Sequence, residues 1–157
     1  GFKGFVAAII GGLASYPQTH PATIMCVSDG EHLLLGRQAA WPEKRWSLLA
    51  GFVEPGETPE QTVVREVWEE SGVRVARVRY VASQPWPMPH SLMIGCFAEA
   101  SSTDIKIDTQ ELADVRWFSR AEVEMMLDAM PGSPLFAPVK GAIAYRLMRD
   151  WIDWKRA

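Results

Sequence analysis

Glu66, Glu69 and Glu70 stand at the spacing i, i+3, i+4. On a helix this places three carboxylates on adjoining turns of one face, where they repel one another unless positive charge lies between them. A divalent cation meets that need, and Mg2+ or Mn2+ beside a phosphate-bearing substrate is a usual occupant of such an all-oxygen site. Around these residues, positions 51–73 read GFVEPGETPEQTVVREVWEESGV, with six acids against the single base Arg65. Glu57 stands just ahead of the helix, and an Arg65–Glu57 ion pair would hold the preceding loop against it. Gly51 allows the backbone to come close to a ligand. A metal ion beside a diphosphate neutralises charge developing on the phosphoryl oxygens and lowers the pKa of a water that attacks phosphorus in line. The chemistry indicated is hydrolysis of a diphosphate linkage. For three acids alone, a solvated helix face is the plainer explanation.

Positioning these side chains requires a helix with defined ends. Thr58, Pro59 and Gln61 announce its start as N-cap, first-turn proline and capping box, and Gly72 ends it. At roughly 100° per residue, Val63, Val64, Val67 and Trp68 are expected on a buried arc, with Glu66, Glu69 and Glu70 opposite them and facing a cleft. Upstream, Ala22–Val27 and His32–Leu35 are short apolar runs separated by Ser28-Asp29-Gly30, a hairpin signal. Ser47–Val53 is a further apolar run. Downstream, Val73–Val81, Ser91–Ala98 and Ala113–Phe118 read as strands. Ser119 with Glu122 forms a second capping box, followed by the stripe Val123, Met126, Leu127 and Met130. A last helix is expected from near Lys140, burying Ile143, Leu147, Trp151 and Trp154. The order predicts an α+β fold, an α/β/α sandwich around a mixed sheet.

A second constellation lies between two of the strands. Ser83–Met93 reads SQPWPMPHSLM, with three prolines within five residues, and predicts a rigid, extended loop beside the cleft. Gln84 offers a donor and an acceptor to a carboxamide or base edge. Trp86 offers a stacking face, although a Trp among prolines serves as readily to plug a core.

Nine positions of the 51–73 window (Gly51, Glu57, Arg65, Glu66, Val67, Glu69, Glu70, Gly72 and Val73) match the Nudix box throughout. With the SQPWPMPHS segment, the chain resembles the catalytic domain of the NADH pyrophosphatase (NAD diphosphatase, NAD-decapping) branch of Nudix hydrolases, over about residues 16–153. The resemblance implies a Nudix fold and metal-dependent cleavage of NADH or NAD+ into a nicotinamide mononucleotide and AMP, with removal of an NAD cap from RNA as a related activity. It implies Glu66, Glu69, Glu70 and Glu111 as metal ligands and Mg2+ or Mn2+ as cofactor. Arg65 and Glu57 belong to the same catalytic set. It further implies a substrate pocket formed by Ala50, Phe52, Gln84, Trp86, Ser91 and Ala144, with Tyr16 reaching across a homodimer. Read as residues alone, Tyr16 is equally a strand-edge aromatic, Ala144 a small residue allowing close helix packing, and Glu111 a surface acid. Three departures stand out. Residues 1–15 hold no cysteine where relatives commonly carry a zinc ribbon, so no zinc is expected in this chain. Gln18 replaces an Arg, and Met88 replaces a Phe.

The remaining composition sets bounds. The 157 residues suit one domain with a core, expected as a Nudix domain over 16–157 behind an N-terminal stub or upstream remnant over 1–15. A net charge of −3 argues against bulk electrostatic binding of nucleic acid, though not against one nucleotide in a metal-lined pocket. Cys26 and Cys96 sit in apolar runs and read as buried free thiols. No apolar run is long enough for a membrane span. An intracellular, cytoplasmic location is expected, with mitochondria or peroxisomes as the eukaryotic variants. Two competing functions stay open: a Nudix hydrolase for ADP-ribose or dinucleoside polyphosphates, and a non-catalytic nucleotide sensor.

Overall fold

The computed structural model describes residues 18–107, 112–129 and 133–154. The expectations for residues 1–15, Tyr16, Glu111 and Met130 therefore lie outside the described residues. Strands β1 (His20–Ser28), β2 (His32–Arg37) and β3 (Leu49–Phe52) precede helix α1 (Pro59–Ser71). Then come β4 (Val75–Trp86), β5 (Ser91–Ala100), β6 (Asp114–Ser119), α2 (Arg120–Leu127) and α3 (Ile143–Trp154).

The strands form one mixed sheet in the order β4-β5-β1-β2-β6, with β3 also paired to β1. β1 is the organising strand. It runs parallel to β5 and antiparallel to β2 and β3. Its residues Ala22–Val27 are all buried, as a strand covered on both faces requires. Period-two alternation divides them. Met25 and Val27 pack with Val63 and Val67 of α1, while Ile24 and Cys26 pack with Val123, Leu147 and Trp151 of α2 and α3. The expected α/β/α sandwich results. Both cysteines are buried free thiols, and burial raises the pKa of each, that of Cys96 to about 11. No described helix is long and apolar enough to cross a membrane.

Local signals produce local structure. Asp29 Oδ1 accepts from the backbone N–H groups of Glu31 and His32 at 2.8 and 2.7 Å, closing the β1–β2 turn. Both capping boxes form, Thr58 with Gln61 and Ser119 with Glu122. Gly72 ends α1 at φ 70°, in the left-handed region that favours glycine.

Three expectations need correction. On α1, Val64 and Trp68 are 45% and 46% exposed, whereas Glu70 is only 7% exposed. The helix rests on the sheet along Val63 and Val67, and Glu70 follows Val63 by seven residues, about two turns, so it falls on the same line. Trp68 faces outward beneath the Arg74 guanidinium, 4.6 Å from its ring centre. Secondly, Gln84-Pro85-Trp86 is not loop but the end of β4, paired with Met93, Leu92 and Ser91. Proline is tolerated there because β4 is an edge strand, where a missing N–H breaks no ladder. Only residues 87–90 form the turn. Thirdly, Trp154 is 60% exposed, resting beside Phe97 at the rim of the sheet instead of in the core.

Candidate active site

Arg65 is the hub of the carboxylate cluster. Its Nε and Nη2 donate to the two oxygens of Glu57 at 2.6 and 2.9 Å, a bidentate pair. Nη1 donates to Glu66 at 2.7 Å and to Glu69 at 3.2 Å. Nη2 also donates to the carbonyl of Phe52 at 3.0 Å, tying α1 to the end of β3. Glu57 accepts further bonds from the Glu54 N–H at 3.1 Å and the Thr62 hydroxyl at 2.8 Å. The Arg65 hydrogen bonds hold the Glu57 carboxyl down at about 2, from the usual value of 4.5, and Glu57 in turn raises the Arg65 pKa above its ordinary range. The loop 53–58 is thus fastened to the helix by charge at any physiological pH.

Gly51 is fixed by Glu66. A Cβ at this position would lie 2.0 Å from Glu66 Cδ, so the glutamate crosses β3 only because no side chain stands there. Glu70 lines a recess of about 190 Å3 together with Ala50, Trp41, Gly36 and Leu112. Among the described residues, no three His, Cys, Asp or Glu side chains already converge as a metal cluster. Glu66 and Glu69 are instead turned to Arg65. The donor chemistry nevertheless fits a hard divalent cation: carboxylate oxygens alone, on successive turns of one helix, with space left by Gly51.

The pairing register collects a second group at the same end of the sheet. Phe52, Ala22, Met93 and Gln84 are aligned across β3, β1, β5 and β4, and His20, Ser91 and Trp86 are aligned two residues further on. Aligned residues share a face, so the two rows form one surface. Phe52 is 58% exposed. Its ring stands edge-on to His20 at 6.4 Å, and His20 is edge-on to His90 at 4.4 Å. The structure therefore brings Phe52, Trp86 and Ser91 to one rim, with Ala50 at the neighbouring recess.

Two of the expected pocket residues are otherwise engaged. Gln84 Nε2 donates to the Gly141 carbonyl at 2.9 Å, and Gln84 Oε1 accepts from the Ile143 N–H at 2.8 Å. Both ends of its carboxamide thus fasten the start of α3. Ala144 is 4% exposed and packed within the core, as a small residue allowing close approach. Thr62, His20 and His90 were not singled out from the sequence. Thr62 looked like any helix-interior residue, and the histidines meet only through strand pairing; the one available signal was the place of His90 in QPWPMPHS.

Known proteins resemble this chain in sequence and in fold. The NUDIX domain family model matches residues 18–138. The chain is 53% identical over 140 residues to the NAD-capped RNA hydrolase NUDT12 of Homo sapiens, covering 88% of this chain and 30% of that protein. It is 44% identical to the NAD-capped RNA hydrolase NudC of Chromobacterium violaceum, covering 90% and 49%. It is 43% identical to the mitochondrial NAD(P)H pyrophosphatase NUDT13 of Mus musculus, covering 88% and 42%. The chain thus spans about a third to a half of the length of these relatives. A NUDIX hydrolase crystal structure from Nitrosomonas europaea superposes with a TM-score of 0.71 at 21% identity, over 92% of this chain and 76% of that one, a likeness of fold.

Proposed function

Because the chain belongs to the Nudix family, we propose that it is a divalent-metal-dependent hydrolase of the pyrophosphate bond in NADH or NAD+. The same bond occurs in the NAD cap of RNA, on which relatives named above act, and cap removal is part of this proposal. Water bonds to one phosphorus, the bridging P–O bond breaks, and AMP and a nicotinamide mononucleotide leave. Bound Mg2+ or Mn2+ supplies charge neutralisation on the phosphoryl oxygens and acidifies the attacking water.

The observation that carries the reading is that the α1 carboxylates and an exposed aromatic rim lie at the same end of the sheet, joined through β3 by the bond from Arg65 to the Phe52 carbonyl. In this reading Glu66, Glu69 and Glu70 hold the metal, with Glu111 as a further ligand. Arg65 keeps Glu57 and the loop in place while it yields Glu66 and Glu69. Phe52 stacks on the nicotinamide or the base. Trp86, Ser91 and Ala50 line the pocket with Tyr16. Gln84 and Ala144 act as positioning residues, one pinning α3 and the other packing it. The protein is a homodimer in this reading, to be checked by light scattering.

The test is incubation with NADH and Mg2+ or Mn2+, with products separated by chromatography. AMP and reduced nicotinamide mononucleotide are expected, and chelation by EDTA should abolish both. Turnover of ADP-ribose or dinucleoside polyphosphates without AMP from NADH would move the chain to another Nudix specificity. Absence of any turnover with retained nucleotide binding would make it a sensor.

A further inference from the structure

A larger cleft lies away from the carboxylates, at the opposite end of the strands. Its volume is about 520 Å3, within the usual range of small-molecule sites. Phe52 pairs with Ala22, whereas the cleft is lined by Cys26 and Ser28, so about four to six residues of β1, roughly 13–20 Å, separate the two. Three guanidiniums line it, Arg77, Arg79 and Arg120, beside the aromatic rings of Phe97, Trp151 and Trp154. The lining holds one carboxylate, Glu99, and its contact with Arg77 is loose at 3.9 Å between side chains 64% and 81% exposed. In a chain of net charge −3 this is a local reversal of sign.

The guanidiniums are ordered by the rings. Arg79 lies over both Phe97 and Trp154, at 5.2 and 5.0 Å from their centres. Arg120 lies over Trp151 at 4.1 Å and donates from Nη1 to the carbonyls of Trp151 and Ile152, while its buried Nε has no acceptor among the described residues. An Arg stacked on a ring keeps its edge N–H donors for an anion, and exposed indole offers a face to a base.

We propose that this cleft binds a nucleoside 5′-monophosphate unit, its base on the exposed indole of Trp154 and its phosphate on Arg77 and Arg79. The unit comes from a free nucleotide or from an RNA chain, and the site stands apart from the cleavage reaction proposed above. The test is fluorescence anisotropy with a short, uncapped, 5′-monophosphorylated oligoribonucleotide at low salt. Wild type is compared with Arg77→Glu and Trp154→Ala, both well-exposed side chains whose variants should melt as wild type does. Loss of a stacking aromatic should weaken binding by about tenfold or more. Arg77→Glu should weaken it at least as much and flatten its salt dependence. NADH cleavage should be unchanged in both. Displacement of the oligonucleotide by AMP identifies a free-nucleotide site, and failure of AMP to displace it identifies a site for the RNA chain. No binding by wild type, or undiminished binding by both variants, would overturn the proposal. If NADH is not cleaved yet the two variants lose binding, the cleft stands and the proposed function falls.

Discussion

At one end of the sheet a single guanidinium, Arg65, serves Glu57, Glu66 and Glu69; at the other, Arg77, Arg79 and Arg120 line a cleft with the one carboxylate Glu99. The two ends also differ in how firmly charge is committed. The Arg65 side chain is 21% exposed and bonded to Glu57 at 2.6 Å, a fixed framework. The Arg77–Glu99 contact at 3.9 Å is solvated, and such pairs contribute little to stability. A tight network gives shape to a loop and holds acids close together until a cation competes for them. A loose one leaves its guanidiniums ready for an incoming anion. The comparison predicts that substitutions at the first end act on turnover and on loop geometry, while those at the second leave both intact.

The largest effect should come from Glu70→Gln, which preserves shape and removes charge. Turnover of NADH should fall on the order of 10²-fold or more, the scale seen when one electrostatic contact to a transition state is lost. Arg77→Glu should leave turnover unchanged, and equal losses in the two variants would erase the distinction between the ends. Next is Gly51→Ala. Its methyl group would drive the Glu66 side chain from its place, since the two would overlap at 2.0 Å. About tenfold or more of kcat/KM should be lost, with a stability cost of about 1–3 kcal/mol typical of overpacking. Wild-type kinetics in this variant would show that the position of Glu66 is immaterial.

Acid titration sharpens the same contrast. The folded-state pKa of Glu57 is depressed to about 2 from 4.5, chiefly by Arg65. Its contribution to stability is therefore fully present above about pH 4.5 and is lost as pH falls towards 2. Wild type should exceed Glu57→Gln in stability at neutral pH, with the gap closing across that window in urea titrations at stepped pH. A gap independent of pH would remove the Arg65–Glu57 pair as its cause. The smallest effect is expected at Gln84→Ala. Loss of its two hydrogen bonds to the start of α3 should lower stability by about 1–2 kcal/mol. Its melting temperature should drop while the KM for NADH changes little; a large rise in KM would return Gln84 to the substrate.

The contrast also explains what could be read from the chain. The carboxylate end is contiguous in sequence, so its spacing, capping box and terminating glycine are visible without a structure. The Asp29-Gly30 turn and the Ser119–Glu122 cap were legible for the same reason. A helical wheel orders the residues of α1 but does not say which line meets the sheet; that depends on where β1 and β3 lie, and it left Val64 and Trp68 outside and Glu70 inside. Gln84 suggested a ligand because its partners, Gly141 and Ile143, are 57 and 59 residues away. The cleft of arginine and tryptophan gave no signal at all. It is assembled from β1 and its turn, the start of β4, the end of β5, the first residue of α2 and the end of α3, and each piece alone reads as an ordinary exposed Arg or a core Trp.

In the proposed reaction the α1 carboxylates leave Arg65 to hold a divalent cation. Titration of Mn2+ followed by electron paramagnetic resonance tests it directly, comparing wild type with the variant carrying Glu66→Gln, Glu69→Gln and Glu70→Gln together. Wild type should withdraw Mn2+ from the free signal and the triple variant, if folded by circular dichroism, should not. Equal Mn2+ binding by the folded triple variant would show that these glutamates do not hold the cation.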